Sequence, residues 1–578
     1  MAGGDTGGIL GSAIHLATST VSSSSTQIFN AATDTFLLVG SLNTARESAA
    51  AIALPNDLTL IAGGSHCAAK TIGTSNGFQC DALQTAELYN ETTKTFTLAG
   101  SGSGGKMTVA RSGPTATLIS GSGTALDGQV LLVGGSMGSS FLSLPPAPAA
   151  APPGQMALNT AELYNPATDA FTPIANPIPG CPAGTSPPAC TTGLASVCAG
   201  ATSAISSASE STNTVTITMT TANPTGLTVG DGVTINAVSV AGYNGSFTVT
   251  GIIDSTHFTY TDPTTGLGAG TGGTAASDTF ECGMVDQGAA LIPNDNGKVL
   301  IAGGDILQFL GASSNVAFLF DPATQTFTRT GSMANARELF PLVALDTPVP
   351  AVGNPLLGDV VAYGGIQATS QLCLSTPNTP VLATTLNSAE VYNTALGTWS
   401  AATNTMGVKR TTLATLMKAG SLTGQVILPG GVDVEAGTEP STCSALTNLK
   451  QAAQSETDLY DPATGAGGTF TATGSLNQAR EGQAQGQIGA GADVTDILAA
   501  GGACTSASPS LQSIVIGSGT NTLSCANTNG RGPGCPATGT NSAQTDYSEL
   551  YSQATQTWSC GPTNASAPTN AAAAAVLP

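Results

Sequence analysis

The stretch "TAELYNPATDAFT" (160–172) recurs with few changes as "TAELYNETTKTFT" (85–97), "SAEVYNTALGTWS" (388–400) and "SELYSQATQTWS" (548–559). In each copy an acidic residue and a tyrosine alternate with apolar residues. A polar turn follows, and then a second short run carrying an aromatic residue. Such alternation on either side of a turn predicts two antiparallel strands. Self-similarity along a chain of 578 residues makes it a repeat array rather than a string of unrelated domains.

Two further pieces complete each unit. A small apolar run follows an arginine, as in "ARESAAAIAL" (45–54), "ARSGPTATLI" (110–119) and "ARELFPLVAL" (336–345). A second run closes on paired glycines: "LTLIAGG" (58–64), "QVLLVGG" (129–135), "KVLIAGG" (298–304), "DVVAYGG" (359–365), "QVILPGG" (425–431) and "DILAAGG" (496–502). Four strands per unit, with the glycine pair and the aromatic at fixed places, resemble the kelch repeat in its divergent bacterial form related to galactose oxidase.

The resemblance implies an all-β fold, a seven-bladed kelch-type β-propeller. Six full units begin at Arg46, Arg111, the Cys282 region, Arg337, Arg410 and Arg480. At the N-terminus "MAGG" (1–4), "TQIFN" (26–30) and "TFLLVG" (35–40) read as a unit without its first strand, and "AAAAAVLP" (571–578) as that missing strand. Joining the two ends in one blade closes the ring and removes exposed sheet edges. A fragment of a longer kelch array is the alternative.

The propeller spans 1–199 and 282–578. Residues 200–281 depart from the repeat, and "TVTITMTT" (214–221), "GDGVTINAV" (230–238), "GSFTVTGII" (245–253) and "HFTYTD" (257–262) predict a small inserted β module, either a ligand-contacting lid or a passive spacer.

The recurrent Arg46, Arg111, Arg337, Arg410 and Arg480, with Glu87, Glu162, Glu390, Asp458 and Glu549, read as structural bidentate pairs between blades rather than as catalytic groups. Tyr89, Tyr164, Tyr392, Tyr460 and Tyr551 and their companion rings are expected to fill the space between blades.

Connections from second to third strand and from fourth strand to the next blade leave on one face, because adjacent strands are antiparallel. All twelve cysteines fall in or beside these connections, an arrangement that favours disulfides and an extracellular or cell-surface location. The expected pairs are Cys67 with Cys80, Cys181 with Cys190, Cys198 with Cys282, Cys373 with Cys443, Cys504 with Cys525 and Cys535 with Cys560. The chain opens on "MAGGDTGGIL" with no signal-peptide pattern, and a leader upstream is compatible with its start in mid-repeat.

Charged residues make up 8% of the chain and the formal net charge is −21, with fourteen Lys and Arg. That balance disfavours nucleic acid and anionic membrane surfaces, and no apolar run is long enough to span a bilayer. The resemblance also raises a copper radical oxidase, whose sites use two tyrosines, one of them crosslinked to a cysteine, and two histidines. The chain holds only His15, His66 and His257, and although His15 and His66 fall in equivalent loops of adjacent blades, no "YH" pair exists.

No zinc-protease helix or phosphate loop is present, and "PNDNGK" (293–298) fits a hairpin turn better than a calcium loop. The expectation is therefore a binding scaffold without catalytic residues, metal or other cofactor. It contacts protein or neutral glycan on the loop-rich face through Phe78, Phe141, Phe309, Asp305, Asp433 and Glu435. A propeller enzyme with a non-local site and a subunit of an extracellular array are the alternatives.

Overall fold

A computed structural model describes residues 22–72, 75–143, 156–175, 202–220, 232–262, 264–277, 284–305, 313–350, 353–368, 383–436, 449–480, 482–491, 493–502, 512–513 and 547–563. Within them lie six four-stranded antiparallel sheets in chain order. The first blade is Ala50–Ala53, Leu58–Ala62, Ala86–Asn90 and Thr95–Leu98. The remaining five follow the same up-and-down order, with first strands Thr115–Leu118, Gly288–Leu291, Leu342–Ala344, Thr415–Leu416 and Ala484–Gln487. First strands of successive blades lie beside one another, so they form the inner wall of a β-propeller.

The described residues thus contain six complete blades, not seven. A further two-stranded sheet, Gln27–Asn30 with Thr35–Leu38, precedes the first. Its ring pair Phe29–Phe36, with centroids 5.4 Å apart, repeats the cross-strand pairs Tyr89–Phe96, Tyr164–Phe171, Phe320–Phe327, Tyr392–Trp399, Tyr460–Phe470 and Tyr551–Trp558 of the third and fourth strands. The two strands are therefore the outer half of a blade. Segments 1–4 and 571–578, expected to complete it, lie outside the described residues.

Each opening phrase makes its turn in the same way. Asp34, Lys94, Asp169, Gln325 and Gln556 take left-handed backbone angles just before the fourth strand, where four-residue turns demand them. From the fourth strand's far end, a backbone N–H reaches that turn in the next blade: Gly40 to Lys94 O (2.9 Å), Gly102 to Asp169 O (2.8 Å), Gly331 to Gly397 O (3.0 Å) and Gly474 to Gln556 O (3.1 Å).

The core lies between blades. Tyr164 and Phe171 of the second blade are buried with Leu60, Ala62 and Leu88 of the first, and Tyr551 and Trp558 of the sixth with Ile427 and Leu459 of the fifth. Stacking small sheets face to face buries alternate residues on both sides of each, which explains the nearly continuous apolar second strands such as Val130–Val133.

The arginine–carboxylate pairs are buried as well, at 2.6 to 2.8 Å: Arg46–Glu87, Arg111–Glu162, Arg337–Glu390, Arg410–Asp458 and Arg480–Glu549. They join parts of one unit, however, and not two blades. Arg46 also donates to Gly63 O and Thr85 O of its own blade, and Glu87 accepts the backbone N–H groups of Asn43 and Thr44. Nor is the pairing bidentate, since the carboxylate shares its oxygens between the guanidinium and the incoming backbone.

What crosses between blades at this level is main chain. In five of the six pairs the second glycine donates to the residue that opens the next unit, Gly64 to Arg111 O, Gly135 to Met284 O, Gly304 to Arg337 O, Gly365 to Arg410 O and Gly431 to Arg480 O.

Residues between Thr202 and Ser277 form a separate sheet that closes on itself, since Thr202–Ser211 pairs with both Thr214–Met219 and Thr274–Ser277. Its interior is its own: Ile205, Val215, Ile217, Val233, Phe258 and Tyr260 are buried together. No helix among the described residues is long and apolar enough to cross a membrane.

Candidate functional site

The residue after each opening arginine, or its counterpart, bridges to the residue after the glycine pair: Glu47 to Ser65, Ser112 to Ser136, Val285 to Asp305, Glu338 to Ile366 and Thr411 to Val432. These bridges sit where the inner strands begin, at the end of the propeller from which the long connections leave. Neighbouring units touch here. Ser65 Oγ donates to Ser112 Oγ at 2.7 Å, Gly113 N–H to Ser48 O at 3.0 Å, and Thr411 Oγ1 bonds Leu339 O.

One part of this inner rim is acidic. The bridge of Val285 to Asp305, the bond from Leu339 N–H to Asp286 O (2.9 Å) and the bond from Gly304 N–H to Arg337 O bring Asp286, Asp305 and Glu338 together. Asp305 and Glu338 are each only 1% exposed, whereas Asp286 is half-buried. Burial, then the charges of Asp305 and Asp286, push the Glu338 carboxyl well above its ordinary range. The buried Asp305 is thus the nearest contributor to that upward push, and the two carboxyls share one poorly solvated corner of the rim. Such a carboxyl pair can bind or relay a proton, and its half-buried neighbour Asp286 is the member that meets solvent.

Above the blades the second-to-third connections build their own sheets. Ser65–Ile72 and Ser75–Ala82 extend from the first blade, and Ser139–Ser143 of the second blade pairs with the latter. On the other side Ile366–Ala368 and Ala383–Thr385 of the fourth blade, Val432–Ala436 and Leu449–Ala453 of the fifth and Gln512–Ser513 of the sixth form one five-stranded sheet. The rim is thus hydrogen-bonded across blade boundaries.

The residues singled out from sequence fall in three places, not one. Asp305 joins the acidic group. Asp433 lies in the five-stranded rim sheet and accepts a hydrogen bond from Thr385 Oγ1, and Glu435 is there too, its backbone facing Lys450 and Thr384. Phe78 and Phe141, from different blades, share the three-stranded rim sheet, one paired with Leu142 and the other with Gln79. His66 directs Nδ1 to Ala45 O at 3.0 Å. Phe309 and His15 lie outside the described residues.

Cys67 and Cys80 form the expected disulfide. Cys560 is disulfide-bonded too, while Cys181, Cys190, Cys198, Cys282, Cys373, Cys443, Cys504, Cys525 and Cys535 lie outside the described residues.

Glu338, Asp286 and Glu47 are the residues that sequence reasoning missed. A signal was present, for "ARE" occurs at 45–47, 336–338 and 479–481, and an acid beside every second opening arginine is a pattern that the arginine alone obscured.

No protein family and no curated protein matches the chain. Among solved structures it is similar to that of YjhT, at 12% identity over 79% of this chain and 91% of that one, with a TM-score of 0.38. It is also similar to a fungal alcohol oxidase of the AA5 family in complex with copper, at 10% identity over 78% of this chain and 90% of that one, with a TM-score of 0.32.

Proposed function

We propose that this protein is a secreted or cell-surface seven-bladed propeller that acts as a binding scaffold, meeting protein or neutral glycan on the face that carries the long connections. The observation that carries the reading is the cross-blade rim. Connections that serve only to link strands have no need to pair with those of the next blade. Here they form sheets over blades one and two and over blades four to six. Ordered backbone at this mouth suits contacts made through amides, hydroxyls and rings.

Closure of the ring is part of the proposal. The two-stranded sheet touches the first blade through Gly40 and Lys94. It also approaches the sixth, where Thr35–Leu38 lies beside Thr557–Thr563 and Gly491 abuts the Ala31 carbonyl. A blade held on both sides is the geometry of a closed circle. Removing residues 571–578 should then lower the melting temperature and promote aggregation through the exposed edge. An unchanged melt would argue for an open arc.

The scaffold itself is tested on arrays of neutral oligosaccharides and of unmodified peptides. A retained ligand should be lost when Ala69→Arg or Thr384→Arg places a bulky charge on the rim, with the melt unaltered. Binding to nothing on either array, or binding indifferent to both substitutions, would sink the reading.

A second reading, an enzyme with a site assembled around the axis, is favoured by the Asp305–Glu338 pair, because strongly perturbed acids concentrate at catalytic clefts. Turnover that Glu338→Gln abolishes, with binding intact, would establish it over the scaffold.

A further inference from the structure

The hairpin Ser65–Ile72/Ser75–Ala82 carries Cys67 and Cys80 directly opposite one another. Cys67 is fully buried and Cys80 partly exposed. Beneath them lies Glu47, 3% exposed and held by two backbone bonds, its N–H to Ser65 O at 3.0 Å and Ser65 N–H to its carbonyl at 2.8 Å. Its Oε1 stands 2.9 Å from Cys67 Sγ. A disulfide sulfur has no proton to donate, so an electron-rich carboxylate oxygen stands directly against an electron-rich sulfur.

One carboxylate oxygen and the two sulfur atoms all lie within 4.8 Å of one another. Two thiolates and a carboxylate, three protein ligands with one side open through the partly exposed Cys80, match a tetrahedral Zn2+ that keeps one water.

We propose that Glu47, Cys67 and Cys80 form a zinc site when the disulfide is open, so that the hairpin alternates between a covalent and a metal clasp. In the opening step a dithiol gives the S–S bond two electrons and two protons and becomes a disulfide, or a phosphine gives the two electrons while water supplies the two protons and the oxygen of the phosphine oxide; either way two thiols are left. Zn2+ then displaces both thiol protons and takes the Glu47 carboxylate as third ligand. An oxidising location keeps the covalent form, and reducing conditions select the metal form. Because the ion binds only the open form, it also favours reduction of this pair.

The test uses the full chain, reduced anaerobically with a phosphine and titrated with Co2+ as a spectroscopic stand-in for zinc. The expected result is a thiolate-to-cobalt charge-transfer band that saturates at one equivalent, disappears in Cys67→Ser and weakens at least about tenfold in affinity in Glu47→Gln, with Glu47→Asp close to wild type. Native-state alkylation read by peptide mass spectrometry should show Zn2+ shielding Cys67 and Cys80 together.

Absence of the band overturns the proposal, as does a band that survives Cys67→Ser. Equal affinity in wild type and Glu47→Gln overturns it as well, since thiols of an unfolded or rearranged chain would not need the carboxylate.

Discussion

Met284 and Phe318 take, in the third blade, the places that Arg46 and Glu87 hold in the first. Met284 O accepts from Gly135 N–H as Arg111 O accepts from Gly64 N–H, and Phe318 pairs with Ile301 as Glu87 pairs with Ile61. Both are buried in one apolar cluster. The chain thus contains an ion pair and its apolar replacement at equivalent positions, and the two members have changed together. A lone buried guanidinium or carboxylate would be left without its partner.

That pairing predicts non-additive mutations in the second blade. Arg111→Met alone should cost about 3–5 kcal/mol, because Glu162 is left buried and charged. Arg111→Met with Glu162→Phe should cost clearly less than the sum of the two single changes. Urea unfolding of the four proteins measures the coupling, and simple additivity would refute it.

Glu338 predicts a pH dependence. Its carboxyl titrates well above the ordinary 4.5 when folded, so its contribution to stability is fully present below 4.5 and is lost as pH rises through the folded value. Asp359, Asp458 and Asp496 are raised by burial and act in the same direction. The comparison is therefore with Glu338→Gln, which should melt higher than wild type at alkaline pH and show a shallower decline. Parallel melting curves across the range would refute the assignment.

The glycine pairs predict a contrast between two substitutions at similar backbone angles. Gly304 has φ +100° and a Cβ there would stand 2.8 Å from Val285 O, while Gly128 has φ +83° and nothing within 4 Å. Gly128→Ala should cost about 1 kcal/mol from backbone strain alone. Gly304→Ala adds a main-chain clash within the third blade, and thermal melts should show it to be at least twice as damaging.

The inserted module predicts separability. Thr202 pairs with Ala276, so its two ends are adjacent, and its buried residues are shared with no blade. Residues 202–277 expressed alone should unfold cooperatively, and joining 201 to 278 through a short glycine linker should leave the propeller's melt in place. An excised chain that fails to fold would show the module to be structural.

The repeat was legible because each unit solves the same local problem. A turn before the fourth strand needs a left-handed residue, a ring pair must cover the sheet behind it, and two glycines must pass close to the next unit. These demands act over short stretches, so they leave a period in the letters. The Cys67–Cys80 disulfide was readable for the same reason, as thirteen positions separate its halves on one hairpin.

By itself the sequence determined the strands, their grouping into units and the face from which the connections leave, since these follow from alternation and strand direction. Only the tertiary structure decided that the arginine pairs close the units that carry them upon themselves, that the rim sheets cross from blade to blade, and that Asp305 lies beside Glu338. Those contacts join residues from separate connections, and their distances are set by how the blades pack. No spacing along the chain encodes that packing.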